Sequence, residues 1–189
     1  MPYLLTLAWI LGITYSSIPI FWLLVHPFAN YWRSVAIGSR TLLAGLWLVS
    51  IVALGVLTAS WRLQQLYDTP FSWLAWLLFV ALGISIYHRV GRGFGGDNLI
   101  GRTELEPQLE QRLVTTGLHA RIRHPIYLAH LLMLTAWTLG SGLTVLFVLW
   151  ATAILTGFFM VRAEDAELER RFGDAYREYK RRVPAVLPL

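Results

Sequence analysis

The chain has 189 residues, 56% of them hydrophobic and only 14% charged, with nine tryptophans and a mean hydropathy of +0.54. A soluble domain of this length does not carry so apolar a composition, so the sequence reads as an all-α, polytopic helical membrane protein, one integral membrane domain over residues 1–189. Cysteine is absent, which excludes disulfides, thiolate metal sites and cysteine nucleophiles; the net charge of +5 reflects fifteen arginines and the single Lys180 against eleven acids.

Charge-free runs occupy residues 4–25, 41–61, 71–87 and 126–161. About 20 apolar residues cross about 30 Å of hydrocarbon, so the first three runs are expected to be single spans, a three-helix half over residues 1–88. The first run is too long for a signal-peptide core and has no basic segment before it, so no cleavable signal is expected. The fourth run is too long for one span and is interrupted by "GSG" at residues 140–142. It is expected to fold as a helical hairpin whose first arm is short for a full crossing, giving about five transmembrane helices in all.

Basic residues set the expected orientation. Arg33 and Arg40 follow the first span, residues 89–123 hold six arginines, and the tail from Arg162 holds seven basic residues, leaving Arg62 alone on the other face. Basic residues favour the cytoplasmic side, so the N-terminus is expected outside and the loop and tail in the cytoplasm. The loop begins "HRVGRGFGGDNL", whose glycines predict turned or flexible backbone rather than a long helix. In the tail, Leu168, Phe172, Ala175, Tyr176, Tyr179 and Val183 recur at three- and four-residue steps, opposite Glu169, Arg170, Arg177 and Arg181. That spacing predicts a C-terminal amphipathic helix ended by Pro184, lying on anionic lipid or folded as a lid over the loop.

Chemistry concentrates in "GLHARIRHPIYLAH", residues 117–130. Pro125 suits a first helical turn, with His124 just before it, and helix starts attract anions. Arg121, Arg123 and His124 add donors for a carboxylate or phosphate, and Tyr127 lies one turn further in. The same arginines could serve only as interfacial anchors, but His130 sits deeper and has no anchoring role. No zinc-like spacing, Ser–His–Asp arrangement or phosphate loop is present, and "GRGFGG" follows a membrane span rather than a strand.

Together, "LVTTGLHARIRHPIYLAH" and the tail's "RAEDAELERRFGDAYREYKRRVP" resemble the isoprenylcysteine carboxyl methyltransferase family and its relatives, the phospholipid N-methyltransferases. The resemblance covers roughly residues 87 to 188, with nothing specific in the first two spans. It implies a membrane enzyme that takes S-adenosylmethionine from the cytosol, releases S-adenosylhomocysteine and methylates a lipophilic acceptor presented by membrane lipids, with residues 89–189 as the catalytic half. The acceptor would be a prenylcysteine-like carboxylate or a lipid amine, and a bacterial or archaeal cytoplasmic membrane is the expected location. By position, the implied cofactor contacts are Gln111, Arg112, Leu113, Val114, His119, His124, Pro125, Ile126, Tyr127 and Glu164; Arg123 joins them as a donor at the helix start. No metal or nucleic acid is implied.

Three positions depart from the family pattern. "GLH" replaces the usual "GxY", putting His119 where an aromatic stands; the acidic pair is Glu164–Asp165 rather than two glutamates; and the usual acceptor-orienting arginine falls on Met160, leaving Arg162 as the nearest candidate for that catalytic role. Membrane sterol reductases carry a similar element with a nicotinamide cofactor, but in them an acid closely follows the tyrosine, where this chain has Leu128, Ala129 and His130. A non-catalytic membrane protein would leave Glu164 unexplained.

Overall fold

The structure, a computed structural model, describes residues 1–34, 38–94 and 112–186. Within these the chain is helical. Helix α1 (Pro2–Val25) passes through a short 3-10 turn at His26–Phe28 into α2 (Ala29–Ser34), followed by α3 (Ser39–Thr58) and α4 (Ser72–Phe94). A 3-10 turn at Gly117–Ala120 precedes α5 (Pro125–Ser141), α6 (Thr144–Phe172) and α7 (Asp174–Arg182).

Among the described residues, four stretches are long and apolar enough to cross a membrane: Pro2–Ser34, Thr41–Trp61, Ser72–Arg92 and Thr144–Phe172. The expected all-α polytopic architecture is therefore present. Helix α5 has 17 residues, a rise of about 25 Å, and so falls short of the hydrocarbon thickness. It turns at Gly142 (φ +65°) into α6 to make the hairpin expected from "GSG".

A short arm leaves its last carbonyls at membrane depth, where lipid cannot satisfy them. The segment joining α3 to α4 does so instead. Tyr67 donates its hydroxyl to the Leu139 carbonyl, Ser72 to that of Gly140 and Gln65 Nε2 to that of Ser141, each at 2.7 Å. The Leu66 amide reaches the Gly142 carbonyl at 2.8 Å.

Helix α4 lies along α5, while α1 packs on both arms of the hairpin. The core there joins Leu5, Ala8 and Ile13 of α1 to Trp137, Leu146 and Leu149. Helix α3 leaves Leu48, Val49, Val52, Val56 and Leu57 exposed, a surface suited to lipid.

Two local expectations are corrected. Helix α4 continues through Phe94, past Gly91 and Gly93, where turned backbone was expected. Each glycine disfavours helix by only about 1 kcal/mol, and packing along α5 outweighs that near the helix end. The rest of the expected loop, residues 95–111, lies outside the described residues.

The tail is also two helices rather than one. Leu168 and Phe172 belong to the end of α6, and Gly173, at φ +57°, breaks the path before α7. Helix α7 folds back so that Tyr176, Tyr179 and Val183 are buried with Leu113, Leu168 and Phe172. The tail is thus folded over the protein rather than lying free on lipid.

Candidate active site

Because α6 has 29 residues, a rise of about 44 Å, its last turns extend beyond the hydrocarbon and carry Glu164, Asp165 and Glu167 to the start of α5. His124 is the residue before that start. Its backbone amide is bonded to the Ala185 carbonyl and that of Arg123 to the Pro184 carbonyl, both at 2.9 Å. The tail therefore caps the head of α5.

Asp165, 5% exposed, is the centre of the cluster. Its Oδ2 lies 2.7 Å from the Arg123 guanidinium, and its Oδ1 accepts from His124 Nε2 at 2.9 Å and from the Tyr176 hydroxyl at 2.5 Å. Arg123 also donates to the carbonyls of Lys180 and Val183, while its buried Nε has no hydrogen-bond partner among the described residues. Burial pushes the Tyr176 phenol well above its ordinary range, and the bond to Asp165 reinforces this.

The His124 ring sits between two acids, with Nδ1 2.9 Å from Glu164 Oε2 and Nε2 bonded to Asp165. Burial opposes charge on this imidazole, but the Glu164 carboxylate and the hydrogen bonds to both acids outweigh it and push the pKa up to about 9. His124 is thus an imidazolium at neutral pH. His119, buried in the Gly117–Ala120 turn with its carbonyl accepting from Tyr179 at 2.6 Å, goes the other way. Burial, helped by the charge on His124, lowers it to about 4. A neutral imidazole and a charged one therefore stand in one site.

The three acids differ in their partners. Glu167 pairs with Arg33 at 2.5 Å and with Arg171, and Asp165 pairs with Arg123. Among the described residues, Glu164 pairs with histidines alone: His124, and His26 at 3.9 Å. His26 Nε2 is also 3.3 Å from the Tyr127 hydroxyl, and its ring stacks on Trp22 at 5.0 Å.

Of the residues expected from sequence, the structure brings Glu164, His124, Arg123, His119 and Tyr127 into this one cluster. Pro125 is buried at the helix start with Ile126 half-buried beside it, Leu113 packs under the tail, Val114 is half-buried and Arg112 is exposed. Gln111 lies outside the described residues. Arg162 is exposed, its guanidinium 4.9 Å from the Phe158 ring centroid, with no carboxylate partner among the described residues. Sequence reasoning missed His26, Arg33, Glu167 and Tyr176. A histidine ending an otherwise apolar span, and a glutamate three residues after Glu164, were the available signals.

Below the cluster lies a cavity of about 490 Å³ between α1, α5 and α6, lined also by residues 185 and 186 of the tail. Its walls are mostly apolar, including Leu131, Leu134 and Ile154; Tyr127, Arg162 and Asp165 mark the end nearest the ion cluster. Two lining residues, Ile154 and Phe158, are exposed apolar side chains on the membrane-spanning part of α6. Such a site can hold a greasy molecule with its polar end against buried charges.

The fold and site define a polytopic helical membrane protein with an ionic cluster set over an intramembrane apolar cavity. The chain belongs to the DUF1295 family, described as proteins of unknown function, whose profile matches residues 28–183. It is 31% identical over 144 residues to the protein-S-isoprenylcysteine O-methyltransferase of Rattus norvegicus, covering 69% of this chain and 49% of that protein. It is 32% identical over 92 residues to methanethiol S-methyltransferase 1 of Bradyrhizobium diazoefficiens, 49% of this chain and 30% of that one. A Delta(14)-sterol reductase of Mus musculus is 35% identical over 78 residues, 39% of this chain and 18% of the reductase. The chain spans half or less of the length of these relatives. No solved structure matches it.

Proposed function

We propose that the protein is a membrane methyltransferase that uses S-adenosylmethionine and methylates a lipophilic carboxylate drawn from the bilayer. The observation that carries this reading is the apolar cavity lying directly beneath the cluster that the two sequence motifs build together. The similarity to O- and S-methyltransferases over much of the chain supports it.

The donor set suits the cofactor's charges. When bound, S-adenosylmethionine supplies an electrophilic methyl group on a sulfonium beside an ammonium and a carboxylate. Glu164, the one of these three acids without a guanidinium partner among the described residues, faces the His124 imidazolium and would share its charge between that ring and the cofactor's cation. Arg123 and His124 commit donors to Asp165, Glu164 and the tail, so they act as positioning residues that hold Glu164 and close the lid. His119, kept neutral, can hydrogen-bond a polar group without adding charge.

Arg162, at the cavity rim, orients the acceptor carboxylate. A carboxylate is ionised at neutral pH, so the reaction needs no general base. Arg162 would hold the acceptor oxygen in line with the methyl group that bound S-adenosylmethionine would supply, with the sulfur of S-adenosylhomocysteine as the leaving group. Alignment and exclusion of water by the tail provide the acceleration. An amine acceptor would first have to lose a proton, and His119, held near 4, is a weak base for that step.

The test is incubation of protein in nanodiscs with radiolabelled S-adenosylmethionine and a membrane lipid extract, followed by mild base. Methyl ester label is released by base and N-methyl label is not. Base-labile lipid label, reduced by Arg162→Ala mainly through KM, is the expected result. Base-stable label would move the acceptor to an amine or a thiol, and no label from any extract would contradict the activity.

A further inference from the structure

The face of α6 that borders the cavity has a gap in it. Gly157 lines the cavity together with Ala153, Ile154, Met160 and Val161. Those four stand three and four residues before and after it, the positions that surround a residue on a helix surface. A side chain at 157 would therefore project from the middle of the lining face, leaning towards Ala153 at the deep end. A Cβ placed there meets nothing within 4 Å. The space it would enter is the cavity.

Neither backbone nor packing asks for glycine at this position. Gly157 lies inside α6 and is not among the glycines of positive φ, and glycine within a helix is less favourable than alanine. Elsewhere in the bundle a helical glycine admits a neighbour: a Cβ at Gly12 would strike Leu146, and one at Gly140 would strike Trp76. Gly157 admits none among the described residues. Gly45 and Gly55 of α3 also have open space around them, but α3 contributes no residue to the cavity lining. What the missing side chain leaves at Gly157 is room for a ligand.

We propose that Gly157 sets the size of acceptor that the cavity takes. Arg162 lies five residues further along α6, about 7.5 Å by helix rise, and Ala153 four residues the other way, about 6 Å deeper. An acceptor with its carboxylate at Arg162 therefore passes Gly157 when its apolar chain is longer than about 7.5 Å, and continues towards Ala153 and Leu134. This rests on reading the cavity as the acceptor site. A larger residue at 157 would shorten the cavity and leave the ion cluster untouched. Acids that end before that level would not sense the change, whereas longer ones would have to leave the cavity or strain it.

The experiment compares equilibrium binding of hexanoate, which ends short of Gly157, and decanoate, which passes it. Binding is measured to the protein in nanodiscs, corrected with protein-free nanodiscs, for wild type, Gly157→Ala, Gly157→Leu and Ala151→Leu. The last adds the same bulk at an exposed position of α6 outside the lining. Alanine and leucine both favour helix more than glycine does, so the variants keep α6. Gly157→Leu should weaken decanoate binding about tenfold and change hexanoate binding less than about twofold. Gly157→Ala should fall between, and Ala151→Leu should match wild type. Affinity for S-adenosylmethionine should be the same in all four. Unchanged decanoate binding in Gly157→Leu overturns the proposal, as does an equal loss of both acids or a wild type that binds neither. If the length-dependent loss is found but S-adenosylmethionine does not bind, the role of Gly157 stands and the methyltransferase reading fails. If S-adenosylmethionine binds and decanoate is indifferent to residue 157, that role falls and the cofactor reading stands.

Discussion

Asp165 and Glu164 are adjacent acids with different expected roles. Asp165 holds Arg123, His124 and Tyr176 together in a buried network. Asp165→Asn should destabilise the protein by about 3–5 kcal/mol, because it leaves Arg123 charged and buried without its acid. Glu164→Gln should instead weaken S-adenosylmethionine binding about tenfold with a smaller loss of stability, since Asp165 still holds His124. Denaturant unfolding in detergent and calorimetry separate the two effects; an unchanged cofactor affinity in Glu164→Gln would remove that residue from the site.

The two histidines give stability a pH dependence of known sign. His124 has its folded pKa raised from 6.5 to about 9. Its contribution is therefore complete below about 6.5 and is lost as pH rises through about 9. His119 has its folded pKa lowered from 6.5 to about 4, so the unfolded chain binds a proton more readily, and stability falls as pH drops from 6.5 towards 4. The thermal midpoint should peak near neutral pH. Replacing His124 with glutamine should flatten the alkaline side and shrink the acid side only in part, since burial is the larger cause of the His119 shift; an alkaline decline of the same size in that variant would assign it elsewhere.

Among the helices, the hairpin tip has the narrowest tolerance. Gly142 adopts a left-handed conformation, and a Cβ there would strike the Tyr67 carbonyl. Gly142→Ala should cost at least about 1–3 kcal/mol from backbone conformation alone, visible as a lower unfolding midpoint, whereas Gly157→Ala, in open space, should be nearly neutral. This turn was legible in the sequence, as were the apolar runs, the Pro125 start of α5 and the stop before Pro184. Each is a local signal, written in run length or in one residue's backbone geometry.

The extension of α4 and the break at Gly173 were not legible. Glycine is compatible with either outcome, and packing chose between them. The pairing of Arg33 with Glu167 joins residues 134 apart, which no helical periodicity reports. For the same reason the two motifs identified Glu164, Arg123 and His124 but gave no sign that the last two point their donors inward, to the acids and the tail. His130 stood out in the sequence as a deep histidine; its tyrosine cage, drawn from α1, α4 and α5, required the fold.

Across the chain, the ion cluster lies at one end of the bundle and the clasped hairpin tip at the other. Among the described residues, fourteen of the fifteen basic residues belong to segments on the cluster's side, with Arg62 alone at the tip. That distribution predicts a cytoplasmic location for the cluster, so reporter fusions after Arg123 and after Leu189 should both report cytoplasm; a signal from the opposite face at either point would invert the orientation. Under the proposed function, the cofactor would enter from the aqueous side and the acceptor from the bilayer. The most direct test of this account is equilibrium binding of radiolabelled S-adenosylmethionine and of NADPH to the purified protein. Saturable S-adenosylmethionine binding, displaced by S-adenosylhomocysteine and unaffected by NADPH, is the predicted result. Saturable NADPH binding without S-adenosylmethionine binding would contradict the account and give the site to reductase chemistry.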